Sequence, residues 1–193
     1  MNNLLTYIRS LTAFSDKNWE MLLPVLTKIE FKRREYLLKE GEVCNSLFFI
    51  ENGYCRSYYN KDGVEKNTSF FFENSIATNI ISFGSGERSM YFIRSCEPMT
   101  VIVFDKQKLM EASRQSHEIE TLGRNCMRVF ASRQELHADL FKLYTAQERY
   151  EFLEQNETEM LQRVSLTQLS SFLGIARETL SRIRKRRMPA PGL

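Results

Sequence analysis

The sequence predicts an α+β protein in three parts, because the spacing of apolar residues changes twice along the chain. From residue 29 to 105, short apolar or alternating runs separated by glycine-containing turns are typical of strands in a β-sandwich or roll. From residue 106 to 144, apolar residues recur every three or four positions without a proline, which predicts a long helix. We therefore predict a double-stranded β-helix (jelly-roll) domain, a long helix and a C-terminal helical domain, at residues 1–108, 109–144 and 145–193.

The N-terminal part is expected to begin with two helices. Leu4, Ile8 and Leu11 share one helical face, Ser15 is placed to cap a second helix, and Pro24 should kink or end it. Strands are then predicted at residues 29–32, 36–38, 46–50, 54–59, 64–72, 91–94 and 100–104.

Glycines mark the turns of this part. Asn52-Gly53 and Asp62-Gly63 each stand between two predicted strands, a pattern that favours β-hairpins. Residues 83–87, FGSGE, are predicted to form a flexible loop, because no Lys-Ser/Thr follows to complete a phosphate-binding motif.

The predicted long helix carries a heptad seam. Apolar residues alternate three and four positions apart over more than three heptads, interrupted only by Arg133, which favours a dimeric coiled coil. A single helix buried on its own domain is the alternative, and a second stripe of Phe130, His137 and Phe141 could pack on the β-roll. The predicted dimer seam consists of Ile119, Leu122, Cys126, Val129, Leu136 and Leu140.

Residues 164–187 predict two short helices joined by a tight turn. A capping box at Thr145–Glu148 begins the C-terminal domain before them. Gly174 can adopt the positive φ that ends a helix. On the second helix Leu180 and Ile183 should face inward, which leaves outward a set of polar residues of the types that read base edges: Arg177, Glu178, Ser181 and Arg182.

Charge is concentrated on that second helix. Residues 177–187 contain six basic residues and one acidic residue, a net charge of +5, whereas the whole chain carries +3. The preceding residues 1–176 therefore carry −2. A basic surface on a helix that follows a tight turn suits a nucleic-acid backbone.

The segment Gln168–Arg184, with Gly174 and the run RETLSRI, resembles the helix-turn-helix of the Crp/Fnr transcription regulators. The order of strands, long helix and helix pair also resembles the whole plan of that family, which has a cyclic-nucleotide-binding-like β-roll in front. One departure is Ala176, where the family often has a capping serine, and the loss of such a cap costs about 1 kcal/mol. Met188–Leu193 are too few residues for a β-wing, so we expect the wing to be missing or minimal.

The resemblance implies a homodimer that binds double-stranded DNA through a palindromic operator, with RNA polymerase as a possible further partner. It places Arg177, Glu178 and Arg182 on base-reading positions and Thr167 and Gln168 near phosphate contacts. The full set of expected DNA-binding residues is Arg177, Glu178, Arg182, Ser181, Thr167, Gln168, Arg184, Lys185 and Arg186.

A cyclic nucleotide is not the expected effector. Binders in the family carry Gly-Glu-Leu followed by Arg-Ser/Thr-Ala, and this chain lacks the Gly-Glu pair and has Met90 in place of the small residue. The family's Arg lies six residues before a small strand residue, whereas Arg88 lies seven residues before Ser95. On a strand, a shift of one residue turns a side chain to the opposite face. The corresponding candidate ligand site consists of Glu73, Asn74, Ser75, Arg88 and Ser89.

The sequence predicts neither a metal site nor catalytic residues. The four cysteines form no Cys-x-x-Cys pair, and the two histidines lie twenty residues apart. No cofactor and no enzymatic activity are expected. Without a signal peptide or an apolar run of about 20 residues, we expect a cytoplasmic protein that does not contact membranes.

A sequence-specific, DNA-binding transcription regulator is therefore the predicted function. Two alternatives remain: a regulator gated by a cyclic nucleotide, and a small-ligand-binding or protein-interaction module that does not bind DNA.

Overall fold

The computed structural model describes residues 1–187; the predicted absence of a wing concerns residues 188–193 and lies outside them. The helices are α1 (Asn2–Leu11), α2 (Asp16–Leu22), a 3₁₀ turn (Leu23–Val25), α3 (Ile80–Ser85), α4 (Lys106–Gln115), α5 (His117–Leu143), α6 (Ala146–Asn156), α7 (Thr158–Arg163), α8 (Leu166–Leu173) and α9 (Arg177–Arg187). The strands are β1 (Leu26–Phe31), β2 (Tyr36–Leu38), β3 (Ser46–Asn52), β4 (Cys55–Lys61), β5 (Val64–Phe71), β6 (Ile76–Ala77), β7 (Phe92–Ser95) and β8 (Met99–Asp105).

The strands form two antiparallel four-stranded sheets, ordered β1-β8-β3-β6 and β2-β7-β4-β5. Buried side chains from both sheets, among them Phe49, Ile93 and Ile102, form one apolar core. The β-roll predicted from the short strands is therefore confirmed. β1 begins at Leu26 rather than at Ile29, because the 3₁₀ turn containing Pro24 has already ended the second helix.

One of the two predicted hairpins is wrong. β3 pairs with β8 and β6, whereas β4 pairs with β5 and β7, so Gly53 joins the two sheets rather than two paired strands. Glycine is required here for two reasons: φ is +83°, and the backbone lies against Pro98 and Met99. An added Cβ would stand 2.6 Å from the Met99 Cβ. The second hairpin is confirmed: Asp62 and Gly63, at φ 52° and 79°, form a two-residue turn between β4 and β5.

Two helix predictions also need correction. Residues 83–87 are not wholly a loop, because residues 83–85 are the end of α3, which is capped by the Asn79 side chain and ended by Gly86 at φ +79°. The block predicted as one long helix contains two helices. Ser116 breaks it with extended backbone, φ −140° and ψ 119°, and its side chain caps α5.

The C-terminal helices pack on the outer face of the second sheet. Along β5 and just beyond it, Phe71 packs against the core of the roll, whereas Phe70 and Phe72 belong to a second core with the C-terminal helices. This core also contains Tyr54 and the buried apolar residues of α6–α9, including Leu169, Phe172 and Leu180. Residues 146–187, hereafter the C-terminal unit, are therefore docked on the roll.

Candidate nucleic-acid interface

The helix pair α8–α9 has the predicted local structure. Ser165 caps α8 by accepting a hydrogen bond from the Gln168 amide, and Gly174 ends the helix at φ +67°. α9 then starts beside Ala176, whose carbonyl accepts from the Leu180 amide at 3.1 Å. An alanine there offers no side-chain acceptor to the free amides of the first turn.

The outward face of α9 carries the predicted base-reading residues. Leu180 is fully buried and Ile183 is 8% exposed, so the helix is anchored along one stripe. Arg177, Glu178, Ser181 and Arg182 are all exposed, as are Lys185 and Arg186. The structure therefore presents a polar, mainly basic helical surface to solvent.

Two arginines of α9 have structural partners instead. Arg187 bonds to Glu151 and Glu154 of α6, at 2.5 Å each, and so ties the end of α9 to α6 within the C-terminal unit. Arg184, expected to contact DNA, is half-buried beside Tyr150, whose phenol pKa is raised by burial and partly lowered by that guanidinium. The charge count of the sequence missed these partners because they lie on α6, more than 30 residues away.

Thr167 and Gln168 lie apart from the exposed α9 face. Both line a cavity between α8 and the β-roll. The Gln168 carbonyl accepts a hydrogen bond from the Asn67 side-chain amide at 3.2 Å, and the Ser171 hydroxyl donates to the Glu65 carbonyl at 2.9 Å. In the docked arrangement, the two residues expected near DNA phosphates therefore face the roll.

The predicted dimer seam divides into two halves. Ile119 and Leu122 are buried in the core of their own roll, and Cys126 is packed against it, so the predicted seam is wrong for this half. Here the single-domain alternative describes the helix correctly, because α1, α2 and α4 cover that face. Further along, Val129 is half-buried and Leu136 is 47% exposed.

The end of α5 contacts the C-terminal unit. Leu140 is buried within the protomer, which removes it from the predicted seam. His137 and Phe141 do not pack on the roll as predicted, because their rings lie 5.5 and 6.5 Å from that of Phe172 on α8. Of that stripe, Phe130 alone packs on the roll core.

The candidate ligand residues of the roll have separate partners. Ser75 is buried and donates to the Phe72 carbonyl, while Asn74 occupies a turn at φ 60°. Ser89 is buried and accepts from the Asn79 side chain at 2.9 Å, whereas Arg88 is exposed. The short helix α3 begins at Ile80, after β6, so residues 73–75 do not lie at a helix start.

Glu73 takes part in an ion-pair cluster that the sequence did not reveal. It accepts the Gly53 amide at 2.6 Å and pairs with both terminal nitrogens of Arg163, at 2.6 and 3.1 Å. Arg163, at the end of α7, also pairs with Glu97 and Glu159. Burial raises the pKa of Glu73, but the hydrogen bonds from Arg163 and the backbone outweigh burial and leave it lowered.

This cluster joins the roll to the C-terminal unit. Glu73 and Glu97 belong to turns of the roll, whereas Arg163 belongs to the unit. The Arg163 guanidinium also lies 5.0 Å from the Tyr54 ring centroid, and the Tyr54 hydroxyl donates to the Arg163 carbonyl at 3.1 Å. No periodicity could have indicated these contacts, because Glu97 and Glu73 lie 66 and 90 residues before Arg163.

The described residues 1–187 contain no group of three or more His, Cys, Asp or Glu side chains that could hold a metal ion. Within the same part of the chain, no helix is long and apolar enough to cross a membrane.

Residues 28–116 match the family model of the cyclic nucleotide-binding domain. No curated protein matches the sequence significantly.

Among solved structures, FixK2 from Bradyrhizobium japonicum has a TM-score of 0.69 at 20% identity, over 88% of this chain and 90% of its own. CLP from Xanthomonas campestris, described as a c-di-GMP-responsive global regulator, has a TM-score of 0.68 at 14% identity, over 92% and 96%. A cyclic nucleotide-binding domain-containing protein from Listeria monocytogenes has a TM-score of 0.67 at 18% identity, over 95% and 89%. Residues 28–116 therefore have the cyclic nucleotide-binding fold, and the chain shares the overall fold of these three structures.

Proposed function

We propose that this protein is a sequence-specific transcription regulator that binds double-stranded DNA through α9. The observation that supports this function best is the division of α9 into a buried stripe of Leu180 and Ile183 and an exposed face with Arg177, Glu178 and Arg182. Arginine donates in pairs to guanine and glutamate accepts from cytosine, so this face suits the major groove.

We further propose a homodimer that reads a palindrome. A single α9 of eleven residues contacts only a few base pairs, and two copies about 34 Å apart would enter successive major grooves. The dimer surface would use the exposed part of α5 around Val129 and Leu136, where apolar side chains are incompletely covered within the protomer. This is the remainder of the predicted seam after its buried half is assigned to the roll.

The effector we propose is not a cyclic nucleotide. Asn79 occupies the first turn of α3 by accepting from the Ser82 amide, which leaves fewer free amides for a phosphate. Within residues 1–187, the exposed Arg88 side chain forms no hydrogen bond to α3, so nothing holds it beside those amides. Calorimetry with cyclic AMP and cyclic GMP tests this proposal, and tight, saturable binding would instead support the cyclic-nucleotide-gated alternative.

The DNA-binding proposal is tested by selecting duplexes from a random pool and measuring affinity for the selected sequence and for scrambled DNA over a range of salt concentrations. Arg182→Ala should weaken binding to the selected duplex by about 1–3 kcal/mol and relax preference at one base position. The matched control is Arg88→Ala, an exposed arginine on the roll, which should leave both affinities unchanged. If Arg182→Ala lowered the affinity equally for every DNA sequence, Arg182 would contact phosphate rather than a base. The absence of any selected sequence would favour the interaction-module alternative.

A further inference from the structure

A cavity of about 530 Å³ lies between the second sheet of the roll and the start of α8. It is distinct from the candidate ligand residues of the roll, none of which lines it. Its volume falls within the range of about 300–1,000 Å³ typical of small-molecule sites. The docking of the C-terminal unit creates it, because its walls come from both parts of the chain.

Charge in this cavity is strongly unbalanced. Five arginines line it, accompanied by a single carboxylate, Glu65; they are Arg33, Arg34, Arg56, Arg94 and Arg163. Arg163 is already paired with Glu73, Glu97 and Glu159, which do not line the cavity, so the excess charge comes from the other four arginines. Glu65 is shared, since it bonds to Arg56 and lies 3.8 Å from the Arg94 guanidinium. One carboxylate cannot neutralise four guanidinium groups, and an anion bound between them would lower their mutual repulsion.

Two of these arginines have no acidic partner. Within residues 1–187, neither Arg33 nor Arg34 forms an ion pair, although the Arg33 Nε donates to the Cys96 carbonyl at 3.1 Å. Across the cavity, α8 begins next to Thr167. Ser165 caps the Gln168 amide, whereas the Leu166 and Thr167 amides of the first turn have no acceptor within the helix. Guanidinium groups together with a helix N-terminus are the donors that phosphate oxygens prefer.

We propose that this cavity binds a small phosphorylated anion carrying at least two negative charges, and that the bound anion opposes DNA binding. The second half of the proposal rests on the proposed function. An anion that bridges Arg33 and Arg34 to the α8 N-terminus stabilises the docked arrangement. The same first turn of α8 is expected to approach a DNA phosphate, so it cannot serve both ligands.

Inorganic pyrophosphate is a suitable probe, titrated calorimetrically into the full chain at constant ionic strength set with sodium chloride. The test variant is Arg33→Gln/Arg34→Asn, which removes two charges from the rim; asparagine tolerates the positive φ of 70° at position 34. The matched control is Lys185→Gln/Arg186→Gln, which removes two charges from exposed positions on α9, outside the cavity.

Saturable binding is expected for the wild type, with a loss of affinity of about tenfold or more in the Arg33/Arg34 variant, since two charged hydrogen bonds are removed. The Lys185/Arg186 variant should stay within about twofold of the wild type, because it leaves the cavity intact. Equal losses in both variants would show attraction to net charge alone and would overturn the site, as would the absence of saturable binding.

The effect on DNA is measured separately, with a selected duplex and each protein at matched ionic strength. Pyrophosphate should lower the DNA affinity of the wild type, and this loss should disappear in the Arg33/Arg34 variant. If pyrophosphate binds but leaves DNA affinity unchanged, the antagonism is overturned. If no DNA binds to any protein, the proposed function fails, while the pyrophosphate titration still decides the site.

Discussion

Replacing Arg163 by alanine should loosen the C-terminal unit from the roll. Its guanidinium meets three carboxylates, and its side chain is only 25% exposed. The two-pronged pair with Glu73 is the most buried of them, and such a pair contributes about 1.5–2 kcal/mol. Glu97 and Glu159 are more exposed and add about 0.3–0.5 kcal/mol each. We expect a total loss of about 2–3 kcal/mol.

Urea denaturation of the wild type and of Arg163→Ala measures this loss, and amide hydrogen exchange locates it. Because the contact joins two parts of the chain, α7 and α8 should exchange faster, while β3 and β8 stay protected. Arg163→Lys should lose about half as much, since an ammonium keeps the charge but not the two-pronged geometry.

Arg124→Ala is the matched control. Arg124 pairs with Glu120 on the same exposed face of α5, and its loss should cost no more than about 0.5 kcal/mol. A double-mutant cycle with Glu73→Gln isolates the pair across the junction. A cost below 0.5 kcal/mol for Arg163→Ala, or faster exchange spread evenly over the chain, would refute this role of the cluster.

Three further changes test other parts of the fold. Gly53→Ala should cost about 2–4 kcal/mol in a urea titration, because it combines a positive φ with a backbone collision. Burial lowers the pKa of His137 below 6.5, so the unfolded chain binds the proton more tightly and stability should fall as the pH drops below about 6.5; urea titrations at several pH values measure this. Ile119→Ala should cost about 2–5 kcal/mol at every protein concentration, as measured by thermal unfolding, because this side chain fills the core of its own protomer.

Each of these changes has its own control. Gly84→Ala lies in open space within α3 and should be neutral or slightly stabilising, so a similar loss there would show that φ and the collision at Gly53 are not the cause. His137→Phe cannot be protonated; if it kept the full loss of stability below pH 6.5, another group would be responsible. Leu136→Ala should hardly change protomer stability but should weaken self-association, and the reverse result would contradict the division of the seam.

Local patterns predicted the individual elements well. The capping box at Thr145 and the φ of Gly174 are both present, because each depends on interactions within a few residues. The Asp62-Gly63 hairpin is correct for the same reason. The Asn52-Gly53 turn looked alike in sequence, yet it joins two sheets, because β3 pairs with strands whose residues lie 27 to 59 positions away.

The candidate site was predictable only along a single helix. The exposed and buried positions of α9 follow from its 3.6-residue period, and the sequence alone identified them. The partners of Arg187 and Arg184 on α6 could not be found in this way, and neither could the half of the seam that is buried in the roll. In each case the deciding contact joins elements far apart in the chain.

By itself, then, the sequence determined the order of most strands and helices and the polar face of α9, since periodicity, caps and turn residues act locally. It missed α3, the short strand β6 and the break at Ser116. Tertiary structure alone decided where those faces lie. In the folded chain, Thr167 lines the cavity beside the roll, Arg163 pairs with Glu73, and five arginines line that cavity. The physical reason is that burial and ion pairing depend on which surfaces come into contact when the chain folds. The spacing of residues along the sequence does not indicate these long-range contacts.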